Sequence, residues 1–133
     1  MRATAKLTPG TLRNEVLICD AFVVETDEPQ SVGGEDTAPA PHELLGAALA
    51  SCVSTTIAMY ARTKGWELGD ALVEVEYDAH SSPRRFRVDI RLPGDYDADQ
   101  IARLERAAAT CPVRRSLEAG FAIEEHVHAS VTV

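Results

Sequence analysis

The sequence predicts an α+β fold with antiparallel sheets. Three observations carry this. Two neighbouring segments alternate strictly between apolar and charged residues, as the two strands of a hairpin do. A long uncharged run, flanked by a proline and a glycine, reads as one helix. Strands come in runs rather than alternating with every helix, so the sheet is not the parallel kind built from βαβ units.

The elements follow in order. Residues 15–26, EVLICDAFVVET, are β-branched and read as one or two strands. DEPQSVGGEDTAPAP is rich in Gly, Pro and acids and reads as a loop, long enough to mark a function or an interface. Pro41 stands where prolines open helices, and the helix runs to about Lys64. Gly65 supplies the left-handed stop, with Arg62 and Lys64 at the negative end of the helix dipole.

ALVEVEYD sets Val73, Val75 and Tyr77 against Glu74, Glu76 and Asp78. RFRVDIRL sets Phe86, Val88, Ile90 and Leu92 against Arg85, Arg87, Asp89 and Arg91. Each is a strand with one apolar face, and AHSSPR is the loop between them. Acidic residues on one outer row and mostly basic ones on the other support that pairing. DYDADQIARLERAAATC is a second helix, opened by a capping box of Asp97 and Gln100. Ile101, Leu104, Ala108 and Cys111 form its apolar stripe. Pro112 breaks it, and PVRRSLEAG continues as a short helix closed by Gly120. Residues 121–133 alternate as a last strand, with Glu125 on the apolar parity, where a bulge or an interface is expected. There is no internal repeat, and 133 residues fit one domain spanning 1–133.

Composition narrows the function classes. Thirteen basic and 21 acidic residues leave a net charge of −8. That balance disfavours nucleic acid and anionic membranes as partners. Residues 44–61 carry no charge and are long enough to span a bilayer. Gly46, Ser51, Ser54, Thr55, Thr56 and many alanines make a buried helix the better reading. So small a chain cannot surround such a helix, which points to a second subunit. Three widely spaced cysteines are not a secreted disulfide framework, and the N-terminus has no apolar signal segment. A reducing cytoplasm is the expected compartment.

The candidate chemistry lies in sulfur. Cys111 precedes a proline that opens a helix, where a thiolate is favoured by the helix dipole, and Arg114 and Arg115 follow within a turn. A buried structural cysteine is the bland alternative. Cys52 sits among alanines with no local cation and by itself reads as core filler. Cys19 is structural. His126 and His128 share a strand face two residues apart but lack a third metal ligand. His42 stands at the mouth of the long helix, and Glu43 suits that helix's positive end. No phosphate loop, dinucleotide fingerprint, HExxH or GxSxG occurs, so no cofactor and no metal is expected.

DEPQSVGGEDTAPAPHELLGAALASCVSTTIAMYARTKGWEL, followed later by CPVRRSL, resembles the OsmC/Ohr family of osmotically inducible protein C and the organic hydroperoxide resistance proteins. The resemblance covers the chain from about Thr26 to Val133. It implies an intertwined homodimer, with antiparallel sheets wrapped around two long central helices. It further implies a thiol peroxidase that reduces organic hydroperoxides. Cys52 matches the family's peroxide-attacking cysteine, which becomes a sulfenic acid. Cys111 matches the cysteine that resolves it as a disulfide. A dithiol such as a lipoylated protein would recycle the pair. The chain departs from the family at His42, which falls where a glutamate usually holds an arginine against the thiol. Glu43 is one position later, and Arg13 is the nearest candidate for the arginine. That departure keeps a second class in view, a non-peroxidatic module binding a hydrophobic or electrophilic small molecule.

Overall fold

A computed structural model describes residues 1–129. The element order is β1 (Ala3–Leu7), β2 (Asn14–Ile18), β3 (Phe22–Thr26), a 3-10 turn (Gln30–Val32), α1 (Pro41–Lys64), β4 (Leu72–Asp78), β5 (Arg85–Arg91), α2 (Ala98–Ala108) and α3 (Pro112–Ala119). Both sheets are antiparallel: one is ordered β1-β2-β3 and the other pairs β4 with β5.

The expected segment 15–26 is two strands. They fold back at Cys19 and Asp20, which have φ of 53° and 54°, and Ala21 N–H donates to Ile18 O at 3.1 Å. Two central residues at positive φ give the type I′ twist that hairpins favour, and Asp tolerates it. A β-branched reading hides this turn because it contains no glycine. Strand β1 was not foreseen either. Its five residues, ATAKL, are all exposed, so pairing with β2 alone defines them.

The loop after β3 is organised by one carboxylate. Asp27 is 1% exposed and accepts from the backbone N–H groups of Glu28 (2.8 Å), Glu35 (3.3 Å) and Thr37 (3.1 Å) and from the Thr37 hydroxyl (2.6 Å). The Thr37 hydroxyl bond does most to push its carboxyl down to about 2; burial opposes, and the three backbone bonds assist. At Gly34 a Cβ would lie 1.8 Å from Glu28 O, so only glycine permits this close return.

Helix α1 obeys the expected bounds, with Pro41 at its start and Gly65 at φ 70° as its stop. Its inward stripe, Leu49, Val53, Ile57 and Ala61, recurs every four residues and is at most 3% exposed. Leu104, Ala108 and Cys111 from the α2 side meet that stripe, with Leu68 beside it. The inner faces of β4 and β5 (Val73, Val75, Phe86, Val88, Ile90) cover the same core from the other side. Burial alternates along both strands, as their sequences require. On the outer face Arg87 meets Glu76 at 3.2 Å and Arg91 meets Glu74 at 3.0 Å. These exposed pairs set register more than they add stability. The capping box of α2 forms as expected, with Asp97 and Gln100 bonding each other's backbone N–H.

The C-terminal segment differs from the sequence reading. The apolar alternation after Gly120 forms no strand within residues 121–129; Phe121, Ile123 and Val127 stand 69%, 84% and 91% exposed. A strand needs a neighbour to bond, and among the described residues no strand pairs with this segment. The rest of that expected strand falls outside the described residues. The extensive packing of the body joins β4 to β5 and α1 to β4, α2 and α3, while the three-stranded sheet packs chiefly within itself.

Candidate redox site

Three helical segments build the site. Cys52 lies midway along α1, one position off the buried stripe, and is half-buried. Cys111 lies between α2 and α3 and is fully buried. It caps α3: its sulfur accepts from Arg114 N–H at 3.5 Å. Because α1 packs on both α2 and α3, the two thiols come close enough to shift each other's ionisation across 58 positions of intervening chain. The break that Pro112 imposes is what turns Cys111 toward α1 while pointing the free N–H groups of α3 at the sulfurs.

The two thiols are driven in opposite directions. For Cys52, burial works against ionisation, but hydrogen bonds from Cys111, the Val113 backbone N–H and the Thr56 hydroxyl outweigh it, and the thiol is lowered from its ordinary value. For Cys111, burial dominates, the interaction with Cys52 adds to it, and the thiol is raised. The Val113 and Arg114 N–H groups lower it only in part. The dipole argument thus applies at the α3 start, yet the sulfur that benefits on balance is Cys52. The expected help from the arginine side chains is not seen, since Arg114 turns back to Glu118 at 2.6 Å.

Two contributors were not legible in the sequence. Val113 acts through its backbone, which no residue type announces. Thr56 sits one helical turn after Cys52 and also donates to Cys52 O at 2.7 Å. A hydroxyl at i+4 from a candidate cysteine is the signal that would have found it.

The other candidates lie apart from the sulfurs in this chain. His42 and Glu43 are exposed at the first turn of α1, and ten residues at 1.5 Å each put His42 about 15 Å from Cys52 along the axis. The His42 ring stacks on Tyr77 (centroids 5.7 Å, 25°), and Tyr77 in turn contacts Phe86 at 4.9 Å. Arg13 reaches Glu25 at 3.9 Å on the three-stranded sheet. His126 and His128 are exposed, and no group of three His, Cys, Asp or Glu side chains is arranged for a metal among the described residues.

Two recesses open on the surfaces around α1 and α2. The larger, of about 930 Å³, is walled by Leu49, Val53, Phe86, Val88 and Ile90, with Arg84 and Arg114 also lining it. The smaller, of about 320 Å³, lies over α1 beside α2.

The family described as OsmC-like protein matches residues 33–126. A protein of Psychrobacter arcticus, described as an osmotic stress induced and detoxification response protein, has a similar structure: 26% identity, 85% of each chain covered, TM-score 0.73. An organic hydroperoxide resistance protein OsmC of Legionella pneumophila is similar at 22% identity, over 86% of this chain and 88% of that one, with a TM-score of 0.62. A Vibrio cholerae protein described as an organic hydroperoxide resistance protein, with captopril bound in one of its active sites, is similar at 20% identity, over 86% and 83%, also with a TM-score of 0.62. No curated protein matches the chain. The matched span holds the helix with Cys52, the Cys111–Pro112 break and both strands that cover them, and on it the chain belongs to the OsmC-like protein family.

Proposed function

We propose that the protein is a cysteine-based peroxidase that reduces organic hydroperoxides. The observation that carries this reading is the pairing of a half-buried, acidified thiol with a buried, raised one. A peroxidase of this type needs that asymmetry, a nucleophile that ionises and a partner held in reserve. The Cys52 thiolate attacks the outer peroxide oxygen. The O–O bond breaks, an S–O bond forms, and the alkoxide leaves as an alcohol after taking a proton. The Cys111 thiol then attacks the sulfenic sulfur, water leaves, and a Cys52–Cys111 disulfide remains. Two equivalents of external thiol return the pair to its reduced state.

The same reading calls for a second copy of the chain. Only Leu49, Val53, Ile57 and Ala61 of α1 are buried within one subunit, while Leu45 and Met59 are exposed. Phe22 and Val23 of the three-stranded sheet and Phe121, Ile123 and Val127 after α3 are exposed as well. A homodimer covers these surfaces as one continuous interface. Within that dimer each chain acts as one domain, and a dithiol-recycled cycle suits a reducing cytoplasm.

Steady-state assay with cumene hydroperoxide and a dithiol tests the proposal. Wild type should turn over, Cys52→Ser should be inactive, and Cys111→Ser should complete a single turnover and stop at the sulfenic acid. One observation favours the non-peroxidatic binding module instead: no side-chain cation is among the groups that lower Cys52. A wild type that consumes no hydroperoxide yet retains ligands at Cys52 would decide for that module.

A further inference from the structure

Closing the disulfide makes a demand that the resting site does not meet. Cys111 attacks as a thiolate, yet it is fully buried, and burial pushes its thiol up. The groups that lower it are the backbone N–H groups of Arg114 and Val113, and no side-chain cation is among them. Val113 N–H also serves Cys52. A negative charge on Cys52 opposes the ionisation of Cys111, and that charge disappears once Cys52 is a sulfenic acid.

One cation is placed to act at that moment. Cys111 is the N-cap of α3, and Arg114 is its N3 residue, whose N–H bonds the Cys111 sulfur at 3.5 Å. A side chain at N3 reaches back to the N-cap, as capping boxes do. Helix α2 of this same chain makes that reach: Gln100, at N3, accepts from Asp97 N–H at 3.0 Å. Arg114 instead points forward, and its Nε donates to Glu118 Oε1 at 2.6 Å. That pair is solvent-exposed, so exchanging it costs little. Arg114 also lines the larger recess together with Leu49, Val53 and Ala108, members of the cluster that contains Cys111. Arg115, next in the chain, lines neither recess and makes no ion pair among the described residues.

We infer that Arg114 is a switched cation for the resolving step: Glu118 holds it forward in the reduced protein, and it turns back toward the N-cap to support Cys111 as a thiolate once Cys52 is oxidised. The inference rests on the peroxidase reading, since it concerns the second half of that cycle. Cys111 gives up its proton, and its sulfur attacks the sulfenic sulfur of Cys52. The S–S bond forms, the S–O bond breaks, and the hydroxide leaves with that proton as water. Arg114 acts on the reacting sulfur through its charge. The other charged or titratable groups around it are Cys52 from α1, Glu105 from α2, Glu118 from α3 and Arg84 from the loop before β5.

Stopped-flow mixing of reduced protein with 2,2′-dithiodipyridine, in a Cys19→Ser background, tests this with a neutral leaving group. Thiopyridone is released once as Cys52 attacks the reagent, at a rate that scales with its concentration. It is released again as Cys111 displaces it from Cys52, at a rate that does not. Arg114→Gln should slow the second phase about threefold relative to the first at pH 7, the size of one exposed charge contact. The slowing should fade toward high pH, where Cys111 ionises unaided, and Arg114→Lys should restore most of the rate. Glu118→Gln should speed the second phase about twofold, and that gain should vanish in an Arg114→Gln background, because it acts through Arg114. Arg91→Gln, on the outer face of β5, should match wild type. A wild-type second phase in Arg114→Gln, an equal slowing by Arg115→Gln, or a Glu118→Gln gain that survives in full without Arg114 overturns the inference and leaves the peroxidase reading intact. A wild type with no concentration-independent phase removes the redox pair and sinks both.

Discussion

Replacing Thr56 by valine isolates one support of the reactive thiol. The hydroxyl donates to Cys52 O at 2.7 Å and is also among the groups that lower the Cys52 thiol, and a single proton serves one acceptor at a time. As a thiol, Cys52 competes poorly with its own carbonyl; as a thiolate it draws the proton. Valine keeps the branched shape and removes only the donor. The lost back-bond to the i−4 carbonyl costs the helix little, because such bonds do not favour helices. Losing a hydrogen bond of about 1 kcal/mol to the ionised sulfur lowers the thiolate fraction about fivefold at a pH below the midpoint. The assay is the rate of iodoacetamide alkylation of Cys52 against pH, in a Cys19→Ser background, read by peptide mass. Thr56→Val should alkylate about fivefold more slowly at pH 7, with the two rates converging at high pH, since the loss is one of ionisation. Thr56→Ser should restore wild-type behaviour. Equal alkylation profiles for wild type and Thr56→Val would refute the role given to this hydroxyl.

Acid should loosen the loop before α1. Asp27 is lowered on folding, so the stability it supplies is complete above the unfolded carboxylate value near 4 and is lost as pH falls toward about 2. The melting-temperature gap between wild type and Asp27→Asn should therefore close over that interval, and a gap independent of pH would contradict the bonding described. Ile57, with no exposure at all, should cost about 3 kcal/mol when truncated to alanine, measured by chemical denaturation. A loss below about 1 kcal/mol would mean the core is not centred on this stripe.

Much of the fold was legible because burial leaves a period. The alternation in β4 and β5, the Asp97–Gln100 box and the Pro41 and Gly65 boundaries of α1 are local signals, and the structure follows each. Strand β1 was hidden because it buries nothing, and the turn at Cys19–Asp20 because it achieves positive φ without glycine. The apolar alternation after Gly120 is real in sequence but joins no strand among the described residues. At the site, the two cysteines could be singled out by residue type, whereas their meeting depends on how α1 packs on α2 and α3. The Val113 N–H and the burial that raises Cys111 are properties of that packing, and no motif spells them.

The central claim is that Cys52 and Cys111 act as one redox unit. Its most direct test is a thiol count and peptide map after one equivalent of cumene hydroperoxide is added to reduced protein without any recycling thiol. The account predicts that two of the three thiols disappear per chain, that the new disulfide joins Cys52 to Cys111, and that Cys19 stays free. Three surviving thiols, or oxidation confined to exposed Cys19, would contradict it.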